Sequence, residues 1–185
     1  TPHIIEEAYE LVDAIKNKDF QNIKDELGDV LLHVVMLSNM GEELSEFTID
    51  DVISNVKEKM IRRHPHVFGD KKVNSVDEVW ENWDAIKKSE KKGQTLLSTI
   101  LTSLPALVEA QKIHNKVAKV GFEWPDLAGP IAKIEEEVNE LKEVLETTQD
   151  QQRLKEEFGD VLFTLVNIAK KCNIDAEDAL KEANQ

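Results

Sequence analysis

Apolar residues recur along this chain at the three-and-four spacing of amphipathic helices, and strand-like alternation is nearly absent. Ile4, Ala8, Leu11 and Ile15 share one face, which predicts a helix over roughly residues 3–17. Leu27, Val30, Leu31, Val34 and Leu37 form the stripe of a second, longer helix from about 21 to 45. Thr48-x-x-Asp51 and Ser75-x-x-Glu78 are capping signals that open further helices. Pro65 ends the helix that carries Arg62 and Arg63, because its ring blocks continuation of the backbone ladder. Pro105 and Pro130 suit first-turn positions, and Gly121 follows a helix end. The charged stretch Lys87–Lys92, ahead of Gly93, reads as a linker. The expected architecture is all-α, with two tandem helical-bundle domains over residues 1–92 and 93–185.

An internal repeat supports that division. Glu6-Glu7-Ala8-Tyr9-Glu10 is echoed by Glu136-Glu137-Val138-Asn139-Glu140, and Asp25-Glu26-Leu27-Gly28-Asp29-Val30-Leu31 by Glu156-Glu157-Phe158-Gly159-Asp160-Val161-Leu162. The gap between the two motifs is almost the same in both copies. Thr48 also has a counterpart in Asp175, each three residues before an aspartate.

The repeated residues are mostly acids, and their spacing gives them a chemistry. Glu7 and Glu10 lie on adjoining turns of one helix face, as do Glu26 and Asp29 on the next helix. Packing these helices antiparallel gathers four carboxylates, whose mutual repulsion requires a neutralising partner. Oxygen ligands without sulfur or imidazole select Mg²⁺ or Mn²⁺ over zinc or copper. A single Glu-rich helix is ordinarily a solvated face; the second copy at constant spacing argues otherwise. Gly28 and Gly159 fall mid-helix at a cost of ~1 kcal/mol relative to Ala, which close helix approach or room for a ligand would offset. A di-iron bundle needs Glu-x-x-His, which this chain lacks. It also has no GxxxxGK[ST] phosphate loop.

Charge narrows the partners further. Among 185 residues, 23 Lys and Arg face 37 Asp and Glu, a formal net charge of −14, which argues against nucleic acid or an anionic membrane as a direct partner. A divalent cation still permits a small phosphorylated substrate. Cys172 is the only cysteine, so no intrachain disulfide forms, which fits a reducing, cytoplasmic setting. No apolar run approaches the ~20 residues of a membrane span. The abrupt opening at Thr1-Pro2 reads as a fragment, or an ordered subset, of something longer.

With these motifs in hand, the chain resembles the MazG family of all-α nucleoside triphosphate pyrophosphohydrolases, whose signature is EExxE followed by ExxD. Arg62-Arg63-His64-Pro65-His66-Val67-Phe68, EVWENWDAIK from Glu78 to Lys87, Ser103-Leu104-Pro105-Ala106-Leu107 and Val120-Gly121-Phe122-Glu123-Trp124 strengthen the likeness, in the order of a two-domain member. The resemblance implies hydrolysis of a nucleoside triphosphate to the monophosphate and pyrophosphate, and a homodimer. It implies metal ligands Glu7, Glu10, Glu26 and Asp29 in the first half, and Glu137, Glu140, Glu157 and Asp160 in the second. Glu6 and Glu136 are the candidates for orienting or deprotonating water. Lys59 and Arg63 match the family's phosphate-binding pair, Trp83 its substrate-side tryptophan, and Lys133 a substrate-contacting position where His3 stands in the first half. Solvated cations at a helix end are the plain alternative for Lys59 and Arg63, and a core tryptophan for Trp83. His33, His66 and His114 show no compelling pattern and read as structural.

Neither half matches a whole family domain. The second ends one residue before the expected counterpart of Lys59, and the first lacks a counterpart of Phe122–Asp126 ahead of its EExxE. The rival to an enzyme is a nucleotide- and metal-binding regulatory protein of the same fold that binds without turnover; a purely structural acidic bundle is weaker still.

Overall fold

A computed structural model describes residues 2–90, 93, 95–147 and 150–184. The chain divides into two compact units, Thr1–Lys92 and Gly93–Gln185. The described residues form nine α-helices and no strand.

In the first unit, α1 (Pro2–Lys16) turns back into α2 (Phe20–Glu43) through Lys18, whose φ of 54° lies in the left-handed region. Asp19 then caps α2 by accepting from the backbone N–H of Gln21 and Asn22, two of the donors a helix start leaves unpaired. The chain next enters α3 (Ile49–Arg63) through a complete capping box of Thr48 and Asp51. The short α4 (Pro65–Phe68) starts on Pro65, and α5 (Val76–Glu90) closes the unit. α5 is opened by Ser75, whose Oγ accepts from Glu78 N–H at 3.2 Å, while Glu78 accepts from Asn74 N–H at 2.8 Å.

The second unit begins with α6 (Ala106–Ala118) and then repeats the hairpin as α7 (Ala128–Thr147) and α8 (Gln151–Lys171). Asp150 caps α8 as Asp19 caps α2, accepting from Gln152 and Arg153 N–H. α9 (Ala176–Ala183) follows, capped by Asp175 as Thr48 caps α3. The repeat extends to backbone conformation. Ser45 after α2 and Asn173 after α8 both sit at φ 57°, a region that side-chain-bearing residues seldom occupy.

Packing differs between the units. In the second, α8 lies against α6, α7 and α9, and Val144, Val166 and Pro130 are essentially sealed from solvent. In the first, Ala14 is the only buried hydrophobic side chain among the described residues, while Leu27 and Leu31 of the predicted stripe remain 52% and 60% exposed.

Three local expectations change. Lys87–Glu90 belong to α5 rather than to a linker, because Lys and Glu are good helix formers; Lys91 and Lys92 lie outside the described residues. Pro105 is the residue that precedes α6, not part of its first turn. A Cβ built on Gly28 or Gly159 meets nothing within 4 Å, so these glycines leave open space and do not serve close helix approach within the chain. No helix is long and apolar enough to cross a membrane, among the described residues.

Candidate active site

Each antiparallel hairpin brings acids from two helices together. In the second unit, Glu137 of α7 meets Glu157 and Asp160 of α8, with carboxylate oxygens all within 4.8 Å of one another. In the first, Glu7 of α1 meets Glu26 and Asp29 of α2 within the same limit. Glu10 and Glu140, one turn further along, stand outside these trios. They remain coupled to them: burial first, then repulsion from Glu10, Glu7 and Asp29, pushes the Glu26 carboxyl above its ordinary range. Burial and the charges of Glu137 and Glu157 do the same to Glu140.

Such clusters fit a hard divalent cation. The ligand atoms are all carboxylate oxygens. Glu26 Oε2 is also buried without a hydrogen-bond partner, an arrangement that costs free energy until something coordinates it.

The surroundings of the two trios diverge. Glu137 is buried at 5% exposure, and Lys133, one turn earlier, donates to it at 2.8 Å and to Glu136 at 3.0 Å. Glu137, then Glu136, hold the Lys133 ammonium well above its ordinary range, so it stays charged. At the matching place in the first unit, His3 pairs with Glu6 at 3.4 Å, both largely exposed.

Beside the second trio opens a cavity of about 650 Å³. One wall is the segment Phe122–Pro125, which Lys170 pins by an ion pair with Glu123 and Lys171 by donating to the Trp124 carbonyl at 2.6 Å. Gly121 turns the chain into this segment at φ 86°, and Gly129 lets Trp124 lie against α7, since a Cβ there would sit 2.0 Å from the indole. The opposite wall is α8, with Asp160, Phe163, Thr164 and Asn167 along one stripe. His114 of α6 completes it. Its Nε2 lies 3.0 Å from the Phe163 carbonyl, and burial pushes its pKa down, so the ring is neutral with Nε2–H donating.

Sequence reasoning set His114 aside as structural and did not single out Phe163, Thr164 or Asn167 on α8. The available signal for these three α8 residues was helical register: three, four and seven residues after Asp160, a metal candidate already in view.

Of the two basic residues expected to meet phosphate in the first unit, Arg63 is engaged elsewhere. Arg63 donates to Glu90 at 2.5 and 3.1 Å, Arg62 donates to the same carboxylate at 2.7 Å, and the two arginines hold the Glu90 carboxyl down to about 2. The Arg63 guanidinium also lies 5.5 Å from the centre of the Trp83 ring, over which Lys87 sits at 4.6 Å. Trp83 is half-buried, edge-to-face with Trp80, and Lys59 is half-buried one turn before Arg63. The recess near the first trio is smaller, about 250 Å³, and lined by polar residues and Ala14 with no aromatic side chain.

Against this geometry, the family model for the MazG nucleotide pyrophosphohydrolase domain matches residues 1–68 and 129–185, each segment containing one acidic hairpin. The chain belongs to that family. It is 46% identical over its whole length to a nucleoside triphosphate pyrophosphohydrolase/pyrophosphatase MazG of Thermotoga maritima, covering 70% of that protein. It is 40% identical to the nucleoside triphosphate pyrophosphohydrolase of Escherichia coli, covering 72% of it. A Bacillus subtilis protein, YabN, is 46% identical over 98% of the chain, which spans 38% of that longer protein. MazG membership agrees with the all-helical fold and its internal repeat.

Proposed function

We propose that this MazG chain hydrolyses nucleoside triphosphates to the monophosphate and pyrophosphate in its second unit, as a control on the cytoplasmic nucleotide pool. The observation that carries this reading is a buried carboxylate, Glu137, grouped with Glu157 and Asp160 at the edge of a largely apolar cavity with the volume for a nucleoside. Glu137, Glu157, Asp160 and the adjacent Glu140 would hold Mg²⁺, with Mn²⁺ as a substitute. Such an ion, when bound, neutralises phosphate charge and polarises the phosphorus under attack.

The chain's own groups do the rest. Lys133 is a fixed positive charge at the cavity edge and can pass from Glu136 to a phosphate oxygen. Released from Lys133, the exposed Glu136 carboxylate is the group to orient or deprotonate the attacking water. Attack at the α-phosphorus then breaks the α–β anhydride bond and expels pyrophosphate. In the first unit, Glu7, Glu10, Glu26 and Asp29 form a second metal site, with Glu6 at the position of Glu136. Homodimer formation would cover the exposed apolar side chains of that unit.

Product analysis with nucleoside triphosphate and Mg²⁺ is the direct test. Monophosphate plus pyrophosphate is expected, and diphosphate plus orthophosphate refutes the bond assignment. Nucleotide binding without any turnover makes the chain a regulatory binding protein instead. Calorimetry should also show Mg²⁺ binding, weakened at one site by Glu10→Gln and at the other by Glu140→Gln.

A further inference from the structure

We propose that Asn167 contacts the nucleobase in the second unit's cavity, and that its carboxamide does so without selecting one base; this rests on the reading that the cavity holds the nucleotide. Asn167 is 6% exposed and Thr164, one turn earlier on α8, is 8% exposed. Both line the cavity, and among the described residues no hydrogen bond satisfies either side chain. Their polar atoms are not sealed off but reach the cavity, where they stay open to a ligand. A ligand with its own donors and acceptors can pair with them.

The register of α8 places them for a base. Asp160 belongs to the carboxylate trio, and Asn167 lies seven residues on, about 10 Å along the helix axis at 1.5 Å per residue. Phosphate held at the trio therefore leaves the nucleoside running along α8 toward Asn167. Trp124 and Phe163 line the same cavity and give it aromatic surface suited to a planar heterocycle.

A carboxamide carries a donor and an acceptor side by side, and half a turn about its last bond reverses their order. The polar edge of every common base presents a neighbouring donor and acceptor, in one order or the other. Asn167 can match each of them. An aspartate there would offer acceptors alone, and guanine is the base with two adjacent donors on that edge, its ring N–H and its exocyclic amine. Asn167→Asp should therefore convert a tolerant contact into a guanine-preferring one.

The experiment measures pyrophosphate release from ATP, GTP, CTP and UTP by the full chain, with calorimetric nucleotide affinities in parallel and inorganic tripolyphosphate as a competitor lacking a base. Asn167→Ala should raise KM for all four nucleotides by about tenfold, the scale of one lost hydrogen bond, and leave tripolyphosphate inhibition unchanged. Asn167→Asp should raise the GTP-to-ATP ratio of kcat/KM by about tenfold or more. Asn167→Leu should melt no lower than the wild type, since it breaks no hydrogen bond within the chain, while losing nucleotide affinity. Equal loss of tripolyphosphate inhibition, a lower melting temperature for Asn167→Leu, or an unchanged base ratio in Asn167→Asp each overturns the proposal. If the wild type binds nucleotide but releases no pyrophosphate, the catalytic reading fails while the affinities still decide the role of Asn167.

Discussion

The two units carry the same acidic hairpin in different company. In the second, the trio sits beside a sizeable apolar cavity, Glu137 is sealed from water, and a lysine is locked onto it. In the first, the trio opens on a small polar recess, Glu7 is only half-buried, and the arginine expected at phosphate is held by Glu90 and Trp83. A ligand motif states what can be coordinated. What lies next to it decides whether a substrate has somewhere to lie, and on that ground the second unit is the catalytic candidate.

The largest effect should come from neutralising a ligand carboxylate in one unit or the other. Glu137→Gln should lower kcat/KM by about 100-fold or more, since even outer partners of a metal site cost 10- to 100-fold. Glu7→Gln should leave turnover near the wild-type rate. Steady-state kinetics giving the reverse pattern would move the chemistry to the first unit.

Assembly is the next division. Leu31 is 60% exposed on α2, whereas its repeat counterpart Leu162 on α8 is 40% exposed. Light scattering should report a dimer for the wild type at micromolar concentration. Leu31→Glu should shift it toward monomer, and more strongly than Leu162→Glu. A wild-type monomer removes the dimer from the account.

Core contributions should differ in the same direction. Val144, 1% exposed, should cost about 2 kcal/mol when cut to alanine, from lost burial plus the cavity left behind. Ala14→Gly in the first unit should cost nearer ~1 kcal/mol, mainly helix propensity. Urea denaturation that ranks them the other way contradicts the packing described for the second unit.

The smallest effect belongs to the Arg63–Glu90 clamp. The Glu90 carboxyl is held down to about 2, from an ordinary 4.5, by Arg63 first and Arg62 second. A carboxyl lowered on folding stabilises the fold above its unfolded value and loses that contribution as pH falls through the folded one. Wild type and Glu90→Gln should therefore differ in stability at neutral pH and converge between about pH 4.5 and 2. Acid titration by circular dichroism reads the difference, and a gap that persists at the acid end argues against the clamp.

Much of this was legible in the sequence because the signals were local. Capping at Thr48, Asp175 and Ser75 set helix starts, and the three-residue spacing of Glu26 with Asp29 and of Glu157 with Asp160 put acids on one face. The Lys87–Lys92 stretch misled because charge density resembles a linker while Lys and Glu are also good helix formers. The cavity was beyond local reading. It exists because Lys170 and Lys171 grip a segment 47 residues earlier in the chain, and no periodicity reports a contact of that range. The glycines fell between, since mid-helix cost was readable but the open space above Gly28 and Gly159 was not.

Lys133 carries one more implication. Its ammonium already occupies Glu137, so it acts as a resident counterion that an incoming cation must displace. Metal alone would strand that charge, whereas metal arriving with a triphosphate gives it a phosphate oxygen to hold. Cation and nucleotide should therefore bind cooperatively in the second unit, each tightening the other by the same factor. At the first trio, where His3 pairs with Glu6 instead, no such exchange is needed and metal affinity should depend far less on nucleotide.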